Sequence, residues 1–407
     1  MMKFIVNNVK NGCRHGYLQD FKRCSGVKDL VVETPMCLMY TRGGSVPHLT
    51  GDVLKKVDNI PKMTQLPLNL LAEHKGAIGM VAGGLGGFCS LDEGSVLYCP
   101  IHDTTTAVPS GYNGNIGVGI WGRGGKIMLD IDTFLQVQEA LRVDFYQAMS
   151  DNDVDERSGK KRLKKSHDRT INFLDRTLER HQKSEKLKDT EIFGTVVGGF
   201  SEEDRIFSAK ETAERPVAGF VLDGFHRYGP ESENFDVQHH RDLIKVTTDN
   251  LPKDKPRIMH GLWSPDMVLS GVECGIDIFD SSYTYIVTER GSALVFDYDF
   301  QKYDKEKSLP AENGNSDTCT RPFEINLKEK KYFDDFSPLL EGCTCYTCRN
   351  HTKSYVSHLL NTTELLAGVL LQIHNFHQYF HFFSSLRESL REDKFDDLKA
   401  LIQQQKR

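Results

Sequence analysis

Three cysteines within six residues, Cys343-Thr344-Cys345-Tyr346-Thr347-Cys348, limit what this chain can fold into more than any other stretch. Glu341-Gly342 before the run and Arg349-Asn350 after it give it the character of a turn. Three thiolates this close supply most of a tetrahedral cage, and a borderline-soft cation such as Zn²⁺ then needs one more nitrogen or sulfur donor. The downstream candidates are His351, His358, His374 and His377. His351 is too near the run to swing round an ion. His374 and His377 fall on a stretch in which Leu365, Leu366, Val369, Leu370, Ile373 and Phe376 recur at helical spacing. Such a helix can lay one imidazole against a knuckle of thiols, which points to a structural zinc site. Three reduced cysteines beside a core histidine are the alternative, and that leaves their clustering unexplained.

A chain of 407 residues can bury one large core with an appendage, or two domains. No apolar run approaches the roughly 20 residues of a spanning helix, and Met1-Met2-Lys3-Phe4-Ile5-Val6 lacks the apolar core of a signal peptide. Ten cysteines with three in a metal-type cluster point to a reducing compartment rather than a disulfide framework, so a cytoplasmic protein is expected. The net charge of −6 argues against a free-standing nucleic-acid binder, and no DNA partner is expected. One basic stretch, Lys160, Lys161, Arg162, Lys164 and Lys165, shows no apolar periodicity and reads as a solvated face or loop.

Short strands and turns open the chain, at Lys3–Val6, Asp29–Val32 and Met36–Tyr40. The glycine-dense stretch Gly83-Gly84-Leu85-Gly86-Gly87-Phe88-Cys89 lacks the Gly-Lys-Ser/Thr ending of a phosphate loop. From about residue 127 an alternation begins. Helices are predicted over 132–141, 166–186, 201–213, 235–249 and 264–273; strands fall at 143–149, 193–197, 219–223, 257–261 and 276–280. Ser201 with Asp204 three residues on gives a capping-box-like start, and Ser264-Pro265 a cap with proline in the first turn. Parallel βαβ units follow, in a doubly wound sheet or a closed barrel. No Gly-x-Gly-x-x-Gly joins strand to helix, which favours the (β/α)₈ barrel. The expected organisation is a barrel over 1–300, a polar surface insertion over 301–335, and a zinc knuckle with terminal helices over 336–407.

The stretch Ile258-Met259-His260-Gly261-Leu262-Trp263-Ser264-Pro265-Asp266, continuing through Gly275-Ile276-Asp277-Ile278-Phe279-Asp280, resembles the tRNA-guanine transglycosylase family. So does the Cys343, Cys345, Cys348 spacing with Tyr355, His358-Leu359 and His374-Asn375. The resemblance implies a barrel with an inserted zinc subdomain, and His374 as the fourth ligand beside Cys343, Cys345 and Cys348. It also implies exchange of guanine for queuine or its precursor at the tRNA wobble position. A carboxylate nucleophile attacks the ribose C1′ in that chemistry, and Asp280 matches it.

Other family features are missing. The Asp-Ser-Gly-Gly-Phe-Gln motif, whose aspartate is the general acid/base, is matched by Gly84–Cys89 without a carboxylate. The base-gripping runs correspond to Met149-Ser150-Asp151-Asn152, Val196-Val197-Gly198 and Gly219 to Phe225. Val197 stands where the family has a glutamine, removing a donor and an acceptor from the purine edge. Thr284-Tyr285-Ile286 stands where a Pro-Thr-Arg triplet contacts the anticodon loop, so that arginine is gone. These departures resemble the non-catalytic branch of the family, as do Gly-Leu-Trp-Ser-Pro and Phe-Asp-Ser-Ser-Tyr. Members of that branch pair with a catalytic subunit, reach tRNA through the complex, and can self-associate when alone. No catalytic residue is then expected in this chain, and Asp280 makes local hydrogen bonds. The resemblance alone adds a peripheral location at the mitochondrial surface. Two rivals are an active transglycosylase using Asp280, with Asp144, Asp151 or Asp223 as acid/base, and a zinc-knuckle scaffold that binds RNA by itself.

Overall fold

The computed structural model describes residues 2–22, 30–303 and 321–406. Eight parallel strands close a barrel: β1 (Met36–Tyr40), β2 (Met63–Gln65), β3 (Val96–Cys99), β4 (Phe145–Gln147), β5 (Glu191–Val196), β6 (Gly219–Leu222), β7 (Arg257–Ile258) and β8 (Ile278–Asp280). Each pairs with the next in chain order, and β8 returns to β1 in the register Ile278↔Met36, Phe279↔Cys37, Asp280↔Leu38. The expected (β/α)₈ barrel is present.

Barrel closure leaves no open edge, so short strands suffice. Inward residues Met36, Leu38, Met63, Val96, Tyr98, Phe145, Phe193, Val221, Ile258 and Ile278 share one core. Tyr98, Phe145 and Phe193 stack through it, with centroids 5.0 Å apart for the first pair and 4.6 Å for the second. Met2, Phe4, Leu18 and Val32 join the same core from a three-stranded antiparallel sheet of Lys3–Lys10, Cys13–Gln19 and Val32–Thr34. Of the expected strand Asp29–Val32, Asp29 lies outside the described residues.

Several boundaries differ from expectation for local reasons. The basic stretch, read as a solvated face or loop, is a solvated face: it forms the first turns of a helix, Lys160–His181, with Lys160, Lys161, Lys164 and Lys165 exposed and Leu163 buried. The helix expected over 235–249 is regular only over Arg241–Asp249. An antiparallel hairpin, Gly117–Gly122 with Gly125–Asp130, was not foreseen. Ser201 does cap its helix, accepting from the Asp204 N–H at 3.3 Å.

The chain divides into two compact units. The first holds the barrel and comprises Met1–Val46, Pro61–Trp263 and Ser270–Ser282; the second comprises Pro47–Ile60, Ser264–Leu269 and Tyr283–Arg407. The main break thus falls at 282/283. Of the expected insertion over 301–335, residues 304–320 lie outside the described residues, and Glu324–Asn326 pairs antiparallel with Ser292–Leu294. The second unit has its own core, including Ala293, Leu327, Leu339, Val356, Leu359, Leu370 and Leu371. Its longest helix, Leu365–Arg391, is buried nearly all round between Leu370 and Phe383. Among the described residues no helix is long and apolar enough to cross a membrane.

The packing sets a sharp test at Gly219. A Cβ there would stand 2.6 Å from the Phe193 ring, which its stack on Phe145 holds in place. Gly219→Ala is expected to destabilise the barrel by about 1–3 kcal/mol, read as a lower urea midpoint at unchanged slope.

Candidate functional site

The carboxyl ends of the barrel strands carry a set of buried polar side chains. Asp280 ends β8 and is 0% exposed. Its Oδ2 accepts from the Gly261 N–H at 2.8 Å. Its Oδ1 accepts from the Trp263 indole N–H at 2.9 Å and from the Ser282 N–H at 3.1 Å. Gly261 can present that N–H because its φ is +79°, and a Cβ there would meet the His226 ring at 2.3 Å. His260 Nδ1 stands 3.9 Å from Asp280, while its Nε2 and the Tyr98 hydroxyl are hydrogen-bonded at 3.0 Å. Burial lowers the proton affinity of His260 and raises that of Tyr98, so both stay neutral.

The run Gly84–Cys89, matched above to the acid/base motif without its carboxylate, has a packing role. Gly84–Phe88 is a short helix that precedes β3, and a Cβ on Gly84 would strike the Leu141 carbonyl at 2.6 Å. Its glycines answer to close backbone packing. The chain leaving the carboxyl end of β3 brings Asp103, which is fully buried. That carboxylate accepts from Tyr40 Oη at 2.8 Å, from the Thr105 N–H and hydroxyl at 3.1 and 3.0 Å, and from the Thr106 hydroxyl at 2.8 Å. The signal was in the sequence: Asp103 is followed by three threonines, and short hydroxyl side chains readily turn back onto an adjacent carboxylate.

The other aspartates are equally engaged. Asp144 accepts from the Leu97 N–H at 2.7 Å and so ties two strands. Asp151 holds Arg162 and Arg169 at 2.7 and 2.9 Å. Asp223 accepts from Gln147, Asn152 and the Gly224 N–H. Beside it Arg205, wholly buried, donates to the carbonyls of Gly199 and Asp223 and lies 3.5 Å over the Phe225 ring. Burial pulls its pKa down to about 9, against the pull of Asp223. Val197 is buried and spends its N–H on the Ser208 hydroxyl. Thr284, Tyr285 and Ile286 lie in the helix Ser282–Glu289, where the Thr284 hydroxyl accepts from Gln372.

In the second unit the structure brings Cys343, Cys345, Cys348 and His374 together. One ligand atom from each lies within 4.8 Å of the others, and the group could hold a metal ion. His374 Nδ1 is 3.8, 3.5 and 3.4 Å from the three sulfurs in that order. Its Nε2–H donates to the Leu294 carbonyl at 2.8 Å, so the lone pair on Nδ1 faces the thiols. Asn375 accepts from the Leu294 N–H at 2.8 Å and donates to the Thr288 hydroxyl. The His-Asn pair therefore grips one strand residue from both sides. Hydrogen bonding to Cys345 and Cys348, then to His374, lowers the Cys343 thiol, whereas hydrogen bonding to Cys343 and Cys348, with burial, raises Cys345. His351 stacks on Tyr355 and His358 is exposed, so neither joins the cage; His377 belongs to another cluster.

Metal analysis of the purified chain should find about one tightly held equivalent, lost in Cys345→Ser. Since binding free energy at such a site is folding free energy, the variant's melting temperature should fall by about 5–10 °C.

Comparison with known proteins agrees with this geometry. The model of the family described as queuine tRNA-ribosyltransferase matches residues 14–407. A protein of Xenopus tropicalis named queuine tRNA-ribosyltransferase accessory subunit 2 is 43% identical over 99% of this chain and 100% of its own length. The human protein of that name is 42% identical over the same shares, and the Gallus gallus one 44% over 96% and 94%. With the family model matching residues 14–407 and identities above 40% running from end to end of both chains, the chain belongs to the queuine tRNA-ribosyltransferase family.

Proposed function

We propose that this chain is the non-catalytic subunit of a heterodimeric queuine tRNA-ribosyltransferase. It supports a catalytic partner that exchanges guanine for queuine at the wobble position of tRNAs with G-U-N anticodons. The observation that carries this reading is the state of Asp280. A nucleophilic carboxylate needs a lone pair facing the ribose C1′ across open space. Here both oxygens accept hydrogen bonds and the side chain has no exposure. Asp103 is likewise consumed by Tyr40 and two threonines. The relatives' shared designation as accessory subunits supports the same reading.

The metal in this reading is Zn²⁺. Zinc–sulfur bonds of about 2.3 Å and zinc–nitrogen bonds of about 2.0 Å separate sulfur from nitrogen by about 3.5 Å in a tetrahedron. The 3.4–3.8 Å spacings fit that figure. Four protein donors fill the coordination shell, so the ion's role is structural. Around the cage the second unit displays Tyr346, His351 and Tyr355 in a row, with Phe336 75% and Leu365 88% exposed. Aromatic and leucine side chains in such number suit a protein interface. Zinc thus serves pairing indirectly, by folding the surface that pairs, and Cys345→Ser should lose zinc and heterodimer together on size exclusion.

A labelled-guanine exchange assay on tRNA tests the reading. The mixture of this chain with a catalytic subunit should be active, and this chain alone should not. Asp280→Asn places an amide donor in place of one oxygen, against at least one of the three N–H groups, so it should cost about 1–3 kcal/mol of stability while leaving exchange per assembled complex unchanged. Exchange by this chain alone, abolished in Asp280→Asn, is the outcome that sinks the proposal.

A further inference from the structure

The helix Leu365–Arg391 carries a second set of ligand-type side chains that the cysteine cage does not use. His377 and His381 stand one turn apart on the same face, with ring centroids 4.2 Å apart. Asp58 comes from Pro47–Ile60 of the same compact unit and brings Oδ2 to 3.7 Å from His377 Nδ1. One ligand atom from each of the three lies within 4.8 Å of the others. The ligands of a tetrahedral ion bound through nitrogen and oxygen stand about 3.3 Å apart, so small side-chain adjustments close the set. The Asn59 amide nitrogen is 3.3 Å from the His381 ring.

A second observation points to a ligand here. His377 is only 3% exposed, yet its Nδ1 has no hydrogen-bond partner. A buried polar atom left unpaired costs about 1–3 kcal/mol, and an ion on that lone pair removes the deficit. Access is available as well. Asp58 is 68% exposed, and His381 lines a cavity of about 470 Å³ shared with Gln378, Ser384 and Ser385.

We propose that Asp58, His377 and His381 form a second metal site, for a first-row divalent cation such as Zn²⁺, Co²⁺, Ni²⁺ or Cu²⁺. Two imidazoles and one carboxylate suit those ions, whereas an all-oxygen shell would be needed for Ca²⁺ or Mg²⁺. Three protein ligands leave a coordination position for water or an incoming donor, so this site exchanges its ion more readily than the four-ligand cage. His377 lies three residues after the cage ligand His374 on the same helix, so an ion on His377 fixes a ring one turn from the cage.

The test is a Co²⁺ titration of the full chain with its cage metal already bound, followed by calorimetry and visible absorption. A second equivalent should bind with ligand-field bands and no thiolate charge-transfer band. His381→Ala and Asp58→Asn should each weaken it by about tenfold or more, with the first equivalent retained. Three results overturn the proposal: no second equivalent at saturating Co²⁺, undiminished binding in both variants, or a thiolate band showing that cobalt entered the cage.

Discussion

A carboxylate with no solvent exposure can stay charged only if donors replace the water it has lost. Asp280 meets that condition with two backbone N–H groups and one indole N–H. The requirement shapes everything around it. Gly261 has to adopt a positive φ, the segment from His260 to Trp263 has to turn back over the end of β8, and Ser282 has to begin a helix there. The Ser281 hydroxyl accepts from the Tyr40 N–H, and the Tyr40 hydroxyl donates to Asp103, so the ends of β8, β1 and β3 are joined through one polar chain. Networks of this kind are stable only when every member is satisfied. Opening Asp280 to a substrate would therefore take an acceptor from the Gly261, Trp263 or Ser282 N–H.

The second unit rests on a different anchor. Leu294 accepts from His374 and donates to Asn375, so the strand Ser292–Leu294 and the helix Leu365–Arg391 are held in a fixed register. That register aims His374 Nδ1 at the three sulfurs. Metal binding and local folding are then one equilibrium rather than two. The asparagine after the histidine has a physical task of its own: without it the Leu294 N–H would be buried without an acceptor.

Much of this was legible in the sequence, and the illegible parts share a cause. The cysteine spacing and the helical pattern across Ile373 and Phe376 brought out the cage, because ligand geometry and helix periodicity are both local. Strands β5, β6 and β8 stood out as apolar runs. Strands β2 and β3 did not. Met63–Gln65 is three residues long and contains Thr64 and Gln65, which are buried only because the barrel closes around them. Periodicity cannot report a burial that long-range pairing creates. The same limit hid Asp103, which sits just beyond the third strand, and a strand end is known only once the strand is.

Asp280 also shows why residue identity is a poor guide to role. By resemblance Asp280 matches the family's attacking aspartate, and that match alone would argue for activity. Its surroundings argue the other way: Trp263 places an N–H donor on one oxygen, Gly261 places another on the second, and the side chain has no exposure. A buried charge that no substrate meets must be paired or eliminated. Pairing makes the aspartate the acceptor on which the Gly261 and Trp263 N–H groups converge. The carboxylate thus has a structural task of its own: it ties the turn after β7 to the end of β8 and the helix start at Ser282.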